Sequence, residues 1–149
     1  MGRVLGVDVG TVRIGVAISD ETGLIARPLE TVRRTGDRKA LGALARMARE
    51  HEVVRIVVGL PLTMGGGEQE SSVDAREFAG KLRTRAGCEV LVWDERLTTA
   101  QAERALIEGG VRRKQRREVV DRIAAAVMLQ SYLDSIPRDA APGPEGTAW

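Results

Sequence analysis

The sequence predicts an α/β domain, and three observations predict it. Residues 4–9 form a short apolar run bounded by glycine, the pattern of a strand buried on both faces in mid-sheet. A second strand follows at once, because Ile14, Val16 and Ile18 alternate with Gly15, Ala17 and Ser19, and the short gap implies an antiparallel hairpin. Further on, a helical pattern runs directly into the β-branched stretch 53–58, which is the signature of an α/β crossover.

Taken in order, the first strand holds one unexpected residue, Asp8 near its end. A carboxylate there must find a cation, a set of donors or the open edge of the sheet. Gly10 lets the chain turn into the hairpin. Thr22-Gly23 is a turn signal, and residues 24–32, broken by Pro28, read as a third strand at a sheet edge. Asp37 is a candidate cap for a helix that buries Leu41, Leu44, Ala45 and Ala48 and leaves Arg38, Lys39, Arg46 and Arg49 on its other faces. After the strand 53–58 and Gly59-Leu60-Pro61, residues 62–70 hold three consecutive glycines and read as a mobile loop. That loop lacks the Gly-Lys-Ser/Thr ending of a Walker phosphate cradle.

Ser71 and Asp74 have capping-box-like spacing for a helix with Ala75, Phe78, Ala79 and Leu82 as its buried stripe, ended by Gly87. Residues 90–93 make another strand, stopped by Asp94-Glu95-Arg96, and Thr98 with Gln101 opens a helix through Ile107. The last helix is expected over 119–136, alanine-rich and ended by Pro137. Asp121 then falls in its first turn, on the face of Ala124, Ala125 and Met128 that packs on the sheet. One domain over 1–136 and a disordered tail over 137–149, rich in proline and glycine, are the expected organisation.

Composition narrows the chemistry. At 149 residues and 43% apolar content the chain has the size of one domain with a sizeable core and no room for a second catalytic one. The balance of 23 basic against 21 acidic side chains permits nucleic-acid binding without demanding it. Its distribution is more telling, since Arg112, Arg113, Lys114, Arg116 and Arg117 crowd one short run, either a solvated loop between helices or a strong source of positive potential. A single cysteine, Cys88, and a single histidine, His51, exclude an internal disulfide and a Cys/His zinc site, so any metal must be held by oxygen. No hydrophobic signal core or membrane span is evident, and the expected location is cytoplasmic.

Acids at three separated places are then out of place: Asp8, Asp94-Glu95 and Asp121. Each has a purely structural explanation, as a turn acid, a cap and a partner of the helix dipole respectively. Converging together, such carboxylates would hold Mg²⁺ or Mn²⁺ and support phosphodiester hydrolysis. The blocks Val7-Asp8-Val9-Gly10-Thr11-x-Arg13-Ile14-Gly15-Val16-Ala17-Ile18-Ser19-Asp20, Val57-Val58-Gly59-Leu60-Pro61-Leu62-x-Met64, Asp94-Glu95-Arg96-Leu97-Thr98-Thr99-x-x-Ala102 and Asp121-x-x-Ala124-Ala125 resemble the YqgF or RuvX family of pre-16S rRNA nucleases, long grouped with Holliday-junction resolvases.

That resemblance implies a ribonuclease H-like fold: a mixed five-stranded sheet, its first three strands antiparallel, with helices on both faces. It also implies a metal-dependent nuclease site formed by Asp8, Glu95 and Asp121 as catalytic and metal-binding acids, with Asp8 as the central ligand. Arg13 and Arg96, adjacent to the acids, are candidate phosphate clamps or simple ion-pair partners. The basic run of Arg112, Arg113, Lys114, Arg116 and Arg117 would bring the polyanion in. Where the family commonly has a lysine and an asparagine, this chain has Val12 and Gly65, and the lost charge at Val12 is expected to weaken phosphate contact.

Precursor rRNA is the favoured partner and branched DNA the alternative, no membrane partner is expected, and a homodimer is called for by a symmetric junction but not by an rRNA end. Aromatics are scarce, so recognition is expected to rest on backbone and shape. Two rival readings are an actin-like or sugar-kinase ATPase, from Asp-x-Gly-Thr and the hairpin, and a non-catalytic nucleic-acid-binding assembly factor. The first needs a second domain for which the chain has no room.

Overall fold

The computed structural model describes residues 2–61, 70–94 and 113–137, with side chains from 119 onward in the last segment. Five strands lie among the described residues: β1 (Arg3–Val9), β2 (Arg13–Ser19), β3 (Ala26–Arg33), β4 (Val53–Leu60) and β5 (Glu89–Asp94). They form one mixed sheet in the order β3-β2-β1-β4-β5. β1 runs antiparallel to β2 and β2 to β3, whereas β4 lies parallel to both β1 and β5. The edge position expected for the third strand is its position, and a register shift next to Pro28 accommodates the missing N–H.

Among the described residues three helices cover this sheet: α1 (Asp37–Glu50), α2 (Glu70–Arg83) and α3 (Arg113–Ser135). Strand parity decides which residues each face receives. Leu5, Val7, Ile14, Val16, Ile18, Ile56 and Val58 point toward α1 and α2, where they meet Leu44, Met47, Phe78 and Leu82. Val4, Ala17 and Val57 point the other way, onto Ala125, Met128, Leu129 and Leu133 of α3. Full burial of each large aliphatic side chain contributes about 1.5–3 kcal/mol, so both layers are held mainly by this apolar contact.

The α3 face of the central strands is built for close approach. A Cβ placed on Gly6 would lie 2.8 Å from Leu129 Cβ, and one on Gly15 would lie 1.9 Å from the Asp121 carbonyl oxygen. The helix backbone therefore rests almost directly on β1 and β2. Its far end is tied by Gln130, whose side-chain oxygen accepts the Ala26 N–H at 2.8 Å while its amide donates to the Leu24 carbonyl at 2.8 Å.

Four details differ from expectation. Gly36, not Asp37, caps α1, and it does so without a side-chain hydrogen bond; Asp37 is the first helical residue and its carboxylate is spent on Arg34 and Lys81. Ser71 likewise lies inside α2, and Asp74 binds Arg34 instead of closing a capping box. The third strand starts at Ala26 because Asp20 draws the chain into a turn, accepting hydrogen bonds from Leu24 N–H, Ile25 N–H and the Thr22 hydroxyl. Finally, α3 begins at Arg113, six residues before the expected start at 119.

The cause of that last difference is local. Arg, Lys, Gln and Glu are strong helix formers, so the basic run needs no apolar stripe to continue the helix. Residues 113–117 are thus helical rather than a connecting loop, and Asp121 stands more than two turns from the N-terminus. The expected loop 62–70 up to Gln69, the helix from Thr98 to Ile107 and the tail beyond Pro137 lie outside the described residues.

Candidate active site

Asp8 is the one carboxylate within the central strand β1, and its placement follows from alternation. Val4 and Gly6 face α3, so Asp8, two residues further on, faces the same side, and it is partly buried there. Its cross-strand partner is Gly15. Because Gly15 has no side chain, the Asp121 backbone sits against it, and the two acids are brought to one face of the sheet through a single glycine. Asp121 is no partner of the helix dipole at this depth in α3, since that effect is confined to the first turn.

Arg13 completes the described part of the site. It opens β2 on the parity of Gly15, and its Nε donates to Asp121 Oδ2 at 2.7 Å. The side chains keep 27% and 24% of their exposure, so the pair is only partly desolvated. Val12, in the turn just before, is 52% exposed and offers no charge. On the neighbouring strand Leu91 and Trp93 face α3, where Trp93 meets the Tyr132 ring edge-on at 5.4 Å.

From Asp121 the helix continues eight residues toward its N-terminus, about 12 Å at 1.5 Å per residue. Those first two turns carry Arg113, Lys114, Arg116 and Arg117 at the acid end of the sheet. Glu95, Arg96 and Arg112 lie outside the described residues. Among the described residues, no three His, Cys, Asp or Glu side chains gather into a metal-holding group.

The opposite side of the β1–β2 turn is closed by a residue that sequence reasoning missed. Arg34, only 10% exposed, donates from Nη1 to the Gly10 carbonyl at 2.9 Å and to Asp74 Oδ2 at 2.7 Å, and from Nη2 to Asp74 Oδ1 at 2.9 Å. Its Nε reaches Asp37 Oδ1 at 2.9 Å, and its guanidinium lies 5.2 Å from the centre of the Phe78 ring. These contacts raise the Arg34 pKa and hold Asp74 and Asp37 below the usual carboxylate value, against the opposing effect of burial. A cleft of about 770 Å³ beside it is lined by Thr11, Asp37, Glu70, Ser71 and Asp74, with Arg34 its one cation among the described residues. That cation is already engaged, so the cleft is a poor seat for a phosphate.

Two acids and an arginine on the α3 face, at the end of a central strand flanked by an antiparallel hairpin, make a specific arrangement. Residues 2–135 match a family described as "RuvX: Holliday junction resolvase".

The chain belongs to the RuvX family.

Named relatives are similar over most of their length. A protein of Myxococcus xanthus named "Putative pre-16S rRNA nuclease" is 49% identical over 133 residues, 89% of this chain and 88% of that protein. One of Mycobacterium ulcerans with the same name is 51% identical over 134 residues, 89% of this chain and 79% of that protein. Among solved structures, Thermus thermophilus RuvC in complex with a Holliday junction substrate superposes with a TM-score of 0.57 at 17% identity, covering 91% of this chain and 98% of that one. The fowlpox virus resolvase bound to junction DNA gives 0.55 at 14% identity, covering 89% and 97%. These likenesses establish the ribonuclease H-like fold expected from the sequence.

No helix among the described residues is long and apolar enough to cross a membrane.

Proposed function

We propose that this RuvX-family chain is a metal-dependent nuclease that processes the 5′ end of precursor 16S rRNA in the cytoplasm. The observation that carries the reading is the meeting of Asp8 and Asp121 on one face through Gly15. The names of relatives 49% and 51% identical favour rRNA over branched DNA as substrate.

The donor set fits a hard divalent cation. Asp8 and Asp121 present carboxylate oxygen only, Asp121 is 24% exposed, and no described thiol or imidazole competes. Glu95, the residue that follows β5 in the sequence, is the third acid in this proposal. Mg²⁺ or Mn²⁺ bound there supplies Lewis acidity toward the scissile phosphate and makes a water more acidic.

The chain's own groups do the rest. The backbones of Asp8 and Asp121 are held by the sheet and by α3, so the two acids themselves need little reorganisation. Arg113, Lys114, Arg116 and Arg117, in the first turns of α3, are assigned to the incoming polyanion, and Arg96, next to Glu95 in the sequence, to the phosphate.

The test is cleavage of a precursor rRNA 5′ leader and of a four-way DNA junction by wild type and Asp8→Asn, each with Mg²⁺, Mn²⁺ or chelator. Cation-dependent cutting of the leader that disappears in the variant is the expected result. Cutting of the junction alone would move the reading to a resolvase. Equal binding by both proteins with no cutting of either substrate would leave a nucleic-acid-binding assembly factor.

A further inference from the structure

The Arg13–Asp121 contact bears on how the acid site is loaded. Asp121 is one of the acids assigned above to the cation, yet one of its oxygens accepts a 2.7 Å hydrogen bond from Arg13 Nε. Both groups are about three-quarters buried, so the attraction is less screened than at an open surface. A divalent cation and a guanidinium repel, and both seek the same carboxylate.

We infer that Arg13 is a built-in counter-ion of the site: it neutralises Asp121 in the free protein, competes with the divalent cation for that carboxylate, and thereby sets the cation affinity. This inference rests on the metal-site reading given above. Geometry supports exchange rather than a fixed structural pair. Arg13 is the first residue of β2, directly after the exposed turn residue Val12, and its side chain keeps 27% of its exposure, so it is not locked in on every side. Asp121, by contrast, is held in place because its own backbone is seated on Gly15. The acid stays and the arginine moves. Once displaced, Arg13 carries a free positive fork at the edge of the acid site, the donor pattern that grips a phosphate. Loading of the cation and exposure of a phosphate-binding group then become one event.

The contrast with Arg33 supplies the control. Arg33 is the cross-strand partner of Arg13 and is exposed, so replacing it removes the same charge nearby while leaving the Asp121 contact intact.

The experiment is Mn²⁺ binding, read by the loss of the free-ion EPR signal, on wild type, Arg13→Gln, Arg33→Gln and Asp121→Asn. Arg13→Gln is expected to tighten Mn²⁺ by about fivefold or more, and Arg33→Gln by much less. Equal tightening in both would reduce Arg13 to a share of the general field and overturn the inference, and weaker binding in Arg13→Gln would show that the arginine supports the ligand pose instead. Mn²⁺ binding that is absent in wild type, or unchanged in Asp121→Asn, would instead defeat the metal-site reading itself. A measurement on wild type alone guards against an unfolded variant: Mg²⁺ is expected to speed solvent exchange of the Arg13 Nε–H in ¹⁵N NMR, and an unchanged signal at saturating Mg²⁺ overturns the competition.

Discussion

Gly15 and Asp121 touch without a side chain between them: a Cβ on Gly15 would fall 1.9 Å from the Asp121 carbonyl oxygen and 2.4 Å from its carbon. The atoms met are backbone, so no rotamer change relieves the clash. Because Gly15 also pairs with Asp8 across the β1–β2 ladder, one missing methyl sets both the seating of α3 and the spacing of the two acids.

Gly15→Ala is therefore expected to lift α3 off β2 and to destabilise the fold by about 3 kcal/mol or more, at the upper end of what overpacking costs. Urea unfolding followed by circular dichroism measures this. A loss under 1 kcal/mol would mean that the helix backbone is not so tightly seated.

Arg34 makes a prediction about acid. Its guanidinium holds Asp74 and Asp37 below the ordinary value of 3.8, chiefly through hydrogen bonds, while burial pushes the other way. In that range the unfolded chain binds more protons than the native one, so stability rises with pH. The contribution is fully present above about pH 4 and is lost as pH falls through the lowered native values. Arg34→Gln is expected to cost about 2–3 kcal/mol at pH 7 and to flatten the fall of Tm between pH 5 and about 2. A variant whose Tm tracks wild type in parallel through that window would show that the arginine does not govern these two acids.

The parts of this fold legible in the sequence were those written in periodicity. Strand alternation placed Ile14, Val16 and Ile18 on one side and Gly15 and Ala17 on the other, and the buried stripes of α1 and α2 lie where helical spacing put them. Helix starts were less legible, because capping acids and ion-pairing acids look alike: Asp37 and Asp74 serve Arg34, a partner 3 and 40 residues away. The start of α3 was missed because a basic run reads as loop from charge and as helix from propensity.

Within the site, Asp8 and Asp121 stood out as acids in apolar surroundings and the family resemblance grouped them, whereas the seat of Asp121 on Gly15 was not readable because it is a long-range contact. One signal for it existed, a glycine inside a strand, which often marks close approach of another backbone. Arg34 had no comparable signal, since its four acceptors lie on three other segments.

Tyr132 ties α3 to the sheet near its other end. Its hydroxyl accepts a 2.8 Å hydrogen bond from Arg55 Nη1, and its ring packs edge-on to Trp93. Arg55 keeps Glu89 at 2.6 Å as a second partner. Tyr132→Phe is therefore expected to cost only about 1 kcal/mol and to leave the Trp93 environment intact. Equilibrium unfolding gives the first quantity and the emission maximum of Trp93, in a Trp149→Phe background, gives the second. A loss beyond 3 kcal/mol would assign the hydroxyl a larger network than this one.

The first turns of α3 lead to a prediction about salt. Arg116 and Arg117 precede Asp121 by five and four residues, about 6–8 Å along the axis of one continuous helix. If they contact phosphates, each contact releases condensed counter-ions when a single-stranded leader binds, and log Kd changes with log salt by about 0.7 per contact. Replacing both with glutamine is expected to lower the slope by about 1.4 and to weaken binding of RNA of any sequence alike. Asp8→Asn, measured beside it, removes negative charge and no phosphate contact, so its slope is expected to stay at the wild-type value. Fluorescence anisotropy of a labelled leader between about 50 and 200 mM salt reads both. An unchanged slope in the double variant would place the polyanion elsewhere and return the basic turns to a solvated helix face.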